Sequence, residues 1–184
     1  MPLGGYTYGI SNIPTTTSRK NIVKTTLISL PAVRNLQEAR LECMEYDAVI
    51  TAGPYPDEVQ FGHPIHKVVR FGDTTSLHAG GPTYENVCEM LEFGIGVPKL
   101  LVHCHAGISR STATAWGIAI GNGLNPLEAI LQLKKSHPKD ERMTFGWATR
   151  PFAPNRLIVE HLEKYFNLEG ELIPIRDHYV TSMW

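Results

Sequence analysis

The residues of this chain best placed to do chemistry together form one run, His103-Cys104-His105-Ala106-Gly107-Ile108-Ser109-Arg110-Ser111. An apolar stretch, Lys99-Leu100-Leu101-Val102, leads into it and reads as a strand. Thr112 to Ile120 follows, apolar on most faces, and reads as a central helix. A thiol therefore sits at the end of a strand, with an arginine, a hydroxyl and a helix start close behind. Only a thiolate is a good nucleophile, and a helix N-terminus beside a guanidinium favours ionisation of a thiol. The turn from His105 to Arg110 can point successive backbone N–H groups inward, forming a nest for anionic oxygens that the helix dipole reinforces. Arg110 can hold two such oxygens with its planar fork, which a lysine cannot do. Gly107 allows a backbone shape that side chains resist. Ser111 can donate a hydrogen bond to the sulfur. The pattern describes a cup for a phosphate dianion with sulfur at its floor.

This segment resembles the signature loop of the cysteine-dependent protein tyrosine phosphatase superfamily, His-Cys-x5-Arg-Ser/Thr, and its Ala-Gly-x-Ser-Arg-Ser form resembles the dual-specificity branch. The resemblance implies that Cys104 becomes a phosphocysteine, that Arg110 binds the phosphoryl oxygens together with the loop residues His105, Ala106, Gly107, Ile108 and Ser109, and that Ser111 assists departure of the thiolate. It also implies that His103 orients the loop and tunes the thiol. Attack by sulfur expels an alkoxide or phenoxide, so a proton donor must stand near the leaving oxygen. The family takes it from an aspartate after an earlier strand, some thirty residues before the cysteine. Asp73, in Val68-Val69-Arg70-Phe71-Gly72-Asp73-Thr74-Thr75, fits that place, with Asp57 as reserve. A Gly-Asp-Thr turn without chemistry accounts for Asp73 when it is taken alone. No Trp-Pro-Asp triplet precedes the cup, which speaks against the tyrosine-specific branch. Arg150-Pro151-Phe152-Ala153-Pro154-Asn155 resembles the Arg-x-x-x-Pro-Asn pattern of dual-specificity phosphatases. By that resemblance Asn155 caps the last helix and buttresses the cup.

The expected activity is that of a phosphatase hydrolysing phosphotyrosine, with phosphoserine and phosphothreonine as further candidates, on a phosphoprotein or phosphopeptide. No cofactor and no metal are expected. Phosphoinositide and RNA 5′-phosphatases of the same superfamily stay open as alternatives, although the cup has no lysine between Cys104 and Arg110. A phospho-binding module without catalysis and a rhodanese-type sulfur-transfer domain are the other readings. Cys88 and Cys43 read as buried small residues in helices. The sharper reading makes one of them, Cys88 first, a thiol that captures oxidised Cys104.

The elements that must position the cup follow from periodicity and breakers. The chain has 184 residues, one domain's worth, with a net charge of −1 and scattered basic residues, which gives no reason to expect nucleic acid or a membrane as partner. Three cysteines without a Cys-x-x-Cys, no Asn-x-Ser/Thr acceptor and no charged-then-apolar leader suggest a reduced, cytoplasmic setting. Residues 1–24 read as an extended lead-in and 25–30 as a strand. Helical spacing marks 32–45, and strands are expected over 46–51, 65–71 and 100–103. Helices are expected over 83–93 and 111–120. Asn125-Pro126-Leu127-Glu128 opens another helix with an N-cap, a first-position proline and an acidic third residue, running to about Ser136. A last helix starts at Pro154-Asn155. The phosphatase resemblance covers about 25–167, leaving 169–184 as a tail. Strands alternating with helices imply an α/β fold, a mostly parallel sheet with helices on both faces. Ligands of such sheets bind beyond the carboxyl ends of strands, where Cys104 falls.

Overall fold

A computed structural model of the chain describes residues 29–53, 62–138 and 151–180. It is an α/β fold around a four-stranded, wholly parallel sheet. The strands are β1 (Ala32–Arg34), β2 (Ala48–Ala52), β3 (His66–Val69) and β4 (Leu100–His103), in the spatial order β1-β4-β2-β3. β2 and β4 are central and buried along their whole length, which is why both read as unbroken apolar runs.

Alternation within those strands divides the helices between two faces. Val49 and Leu101 pack against Ala39 and Cys43, so α1 (Leu36–Glu42) and the short 3₁₀ turn that extends it cover one face. Ile50, Ala52, Leu100 and Val102 point the other way, into a larger core. That core is built with α2 (Tyr84–Gly94), α3 (Arg110–Gly121), α4 (Pro126–Ser136), α5 (Arg156–Phe166) and α6 (Leu172–Tyr179). Each fully buried side chain of the size of Leu or Ile contributes roughly 1.5–3 kcal/mol of transfer free energy. The core holds Ile50, Leu91, Leu100, Ile118, Ile130, Ile158 and Leu162 in that state, around Trp116. α3 lies at its centre, and a methyl added at Gly117 would run into Leu162 and Leu91.

At the start of the sheet the helix expected over 32–45 is corrected, and the strand expected over 25–30 falls mostly outside the described residues. Residues 25–28 lie outside the described residues, and Ser29 and Leu30 are not in a strand. Among the described residues the first strand is Ala32–Arg34, inside the stretch whose spacing suggests a helix. Asn35 decides where the helix begins. Its side chain accepts the N–H of Glu38 while Glu38 accepts the N–H of Asn35, a reciprocal cap that starts α1 at Leu36. The other expected elements lie within two residues of the expected limits, β3 included. α4 has the expected start and end, with Asn125 accepting the N–H groups of Leu127 and Glu128. Among the described residues no helix is long and apolar enough to cross a membrane.

Candidate active site

Cys104 directly follows β4, at the carboxyl end of the sheet. Its side chain is buried, and its Sγ lies 3.1 Å from Ser111 Oγ in the first turn of α3. The loop between them is held from outside by its carbonyl groups. Leu36 N–H donates to His105 O (3.1 Å), Ala153 N–H to Ile108 O (3.2 Å) and Asn155 N–H to Ser109 O (3.0 Å). Thr112 adds its hydroxyl to Ile108 O and Ser109 O. Among the described residues nothing accepts the N–H groups of residues 106–109. A loop whose carbonyls are tied outward and whose amides are unengaged is an anion-binding concavity. Gly107 is required on two counts. Its φ is +70°, and a Cβ there would lie 2.8 Å from the backbone of Arg34 and Asn35 at the end of β1.

Arg110 opens α3, and its side chain is buried. Gly53, just beyond β2, makes room for it, since a Cβ there would sit 3.3 Å from Arg110 Nη1. Nη1 donates to Phe71 O at 3.4 Å. Nε is 3.5 Å from Asp73 Oδ2, inside ion-pairing range, yet it is buried without a hydrogen-bond acceptor. An anion held against the fork would supply one.

Asp73 reaches the cup from the loop after β3. Its Oδ1 accepts from Ser109 Oγ (2.7 Å) and from Asn155 Nδ2 (3.0 Å), while its side chain stays 40% exposed. The loop behind it is closed by Gly72 N–H to Gly80 O and Gly81 N–H to Ser76 O. Asn155 does three things at once. Its Oδ1 caps α5 at Ile158, its Nδ2 holds Asp73 and Thr74 O, and its backbone holds Ser109. The helix cap was legible from the sequence; the grip on Asp73 was not, because the two residues stand 82 positions apart.

His103 lies beneath the loop, on the face of β4 turned to α1. It shares a hydrogen bond with Thr51 Oγ1 across the sheet, and Thr51 shares another with His66 on β3. Burial pushes His103 down to about 4, so it is neutral at physiological pH. Nothing in the local sequence marks Thr51 or His66 as a partner of His103. Register is the signal that could have found Thr51, which pairs with His103. His63 is a structural residue, with Nε2 3.0 Å from Tyr46 O and Nδ1 within hydrogen-bonding distance of both Ile65 O (2.9 Å) and Ile65 N (3.1 Å). His78 is exposed in the turn after the Asp73 loop, and His105 is exposed.

A cavity of about 520 Å³ adjoins the cup, walled by Asp73, Ala106, Ile108, Ala153, Arg156 and Arg176. Arg176 comes from α6, a helix inside the 169–184 segment expected to be a tail. Asp57 lies outside the described residues. All three cysteines are free thiols. Cys43 is buried under α1, and Cys88, one turn along α2 from Tyr84, pushes that phenol upward. Among the described residues no three metal-ligating side chains converge.

The arrangement can accept a phosphoryl group. It offers a sulfur nucleophile, a ring of donors for three oxygens, a guanidinium and a carboxylate at the mouth. No protein-family model matches the chain, and no curated protein matches it. Among solved structures, Tk-PTP in its active form is similar at 20% identity and a TM-score of 0.44, over 75% of this chain and 88% of that one.

Proposed function

We propose that this chain is a phosphomonoester hydrolase working through a phosphocysteine on Cys104, with phosphotyrosine of a protein or peptide as substrate and phosphoserine and phosphothreonine as further substrates. What carries the reading is a buried thiol facing Ser111 inside a loop of unengaged amides, next to a buried arginine Nε without an acceptor. In the first step sulfur attacks phosphorus, an S–P bond forms, and the bond from phosphorus to the leaving oxygen breaks. Asp73 gives the leaving oxygen its proton. In the second step water attacks phosphorus, Asp73 takes a proton back, and the S–P bond breaks with Ser111 Oγ donating to the departing sulfur. Arg110 and the loop amides hold the equatorial oxygens throughout, so charge develops against fixed donors. The cavity beside Asp73 takes the residue that bears the phosphate. The absence of lysine between Cys104 and Arg110 favours a singly phosphorylated side chain over a polyphosphorylated headgroup.

The test is hydrolysis of p-nitrophenyl phosphate in EDTA by the wild type and by Cys104→Ser. Turnover by the wild type that vanadate inhibits, with none in the variant, is the expected result. Rapid acid quench should trap phosphate on Cys104. Turnover that survives the replacement of sulfur by oxygen would end the proposal.

A further inference from the structure

A line of side chains leaves the cup and runs across the sheet. Thr51 on β2 faces His103 on β4, and His66 stands on the edge strand β3. Thr51 Oγ1 is 2.5 Å from His103 Nε2 and 2.8 Å from His66 Nε2. The other nitrogen of His103, Nδ1, is 3.4 Å from Cys104 O. A hydroxyl carries one proton, and a neutral imidazole carries one N–H. Thr51 can therefore donate to one histidine only, and the other must donate to Thr51. If His103 donated from Nε2, its bare Nδ1 lone pair would face the Cys104 carbonyl oxygen and repel it. Every contact is attractive in one pattern: His66 Nε2–H to Thr51, Thr51 O–H to His103 Nε2, and His103 Nδ1–H to Cys104 O.

We infer that Thr51 and His66 are positioning residues for the nucleophile, holding His103 in the Nδ1–H tautomer whose ring orients the Cys104 peptide. A charged His66 can only donate through Nε2, so protonation of His66 enforces this tautomer. Burial takes His103 down to about 4, so it stays neutral well into the acid range. Burial and the neighbouring His63 push His66 below the usual histidine range. His103 itself faces His66, Arg40 of α1 and Arg110. Lys67, next to His66, points to the opposite face and pairs with Glu89 of α2.

The experiment is ¹⁵N-imidazole NMR of the full chain with p-nitrophenyl phosphate kinetics, on the wild type, Thr51→Val, Thr51→Ser and His66→Gln. In the wild type the His103 signals should show a protonated Nδ1 and a bare Nε2. That pattern should persist as His66 takes up a proton, because a charged His66 still donates to Thr51. Thr51→Val should mix the tautomers and lower kcat about tenfold with little change in KM, the scale of one lost hydrogen bond. Thr51→Ser should restore both. His66→Gln, whose amide can still donate to Thr51, should keep the tautomer. A protonated Nε2 in wild-type His103, or an unchanged tautomer in Thr51→Val, would overturn the inference. The kinetic arm rests on the phosphatase reading. The NMR arm needs no turnover, so an inactive protein with the expected tautomer would count against the phosphatase alone.

Discussion

At position 110 the choice of arginine is one of shape more than charge. Nη1 is committed to Phe71 O and Nε is buried with no acceptor, so the fork presents a fixed edge to the cup. Arg110→Lys keeps the charge and loses the edge. Each charge-assisted hydrogen bond forfeited is worth about 1.5–3 kcal/mol, so kcat/KM for p-nitrophenyl phosphate should fall at least about tenfold. Near-normal catalysis by that variant would remove Arg110 from its assigned place. Asp73→Asn is the sharper substitution. An asparagine there still accepts from Ser109 and Asn155, so the loop stays put while the transferable proton is gone. With a poor leaving group such as phenyl phosphate the rate should fall on the order of 10²–10⁴, and much less with p-nitrophenyl phosphate. Equal losses for the two substrates would put the acid elsewhere. The cup was legible because its residues are contiguous and their spacing is itself the geometry. Thr51 and His66 were not legible, since a hydroxyl in a buried strand gains meaning only when register sets a histidine opposite it.

At the scale of elements, caps decided what periodicity could not. The apolar spacing over 32–45 is compatible with one helix, but Asn35 and Glu38 cap each other and leave Ala32–Arg34 free to pair with β4. That pairing matters to the cup, because Gly107 packs on the end of β1. The same Asn-x-x-Glu signal was present in the sequence, and weighing it above the hydrophobic spacing would have found the strand. α6 was hidden for a different reason. Its start is capped from another helix, by Glu163 of α5. That carboxylate is largely buried and accepts the N–H groups of Leu172 (2.7 Å) and Ile173 (2.9 Å). No local residue announces such a cap. Pro174 falls in the first turn, where its missing N–H costs nothing. Glu163→Ala should leave two helix-terminal donors unsatisfied and lower stability by about 1–3 kcal/mol in urea unfolding. Glu163→Gln, which retains an acceptor, should lose less. Equal stability of the alanine variant and the wild type would show that α6 needs no anchor at its start. The effect should reach the cavity, since Arg176 of α6 forms part of its wall and donates through Nε to Pro154 O.

For the molecule as a whole, the burial that keeps His103 neutral ties folding to pH. The folded chain holds His103 down to about 4, while the unfolded chain leaves it near the ordinary 6.5. Below 6.5 the unfolded state takes up a proton that the folded state refuses. Stability is therefore full above 6.5, falls as pH drops, and stops falling on this account near 4. The integrated loss is about 3 kcal/mol on the scale of 1.36 kcal/mol per pKa unit. Burial lowers His66 too, so it acts in the same direction. The carboxylates contribute mainly at the acid end of this window and below, which separates the causes. Urea midpoints of the wild type should drop steadily between pH 6.5 and pH 4.5. In His103→Gln, which fills much of the ring's space and does not titrate, the drop should shrink to the part that His66 and the other groups supply. A wild-type midpoint that stays flat across that interval would mean that the sheet admits a charged imidazole beneath the cup. The neutral His103 on which the cup's geometry rests would then be wrong.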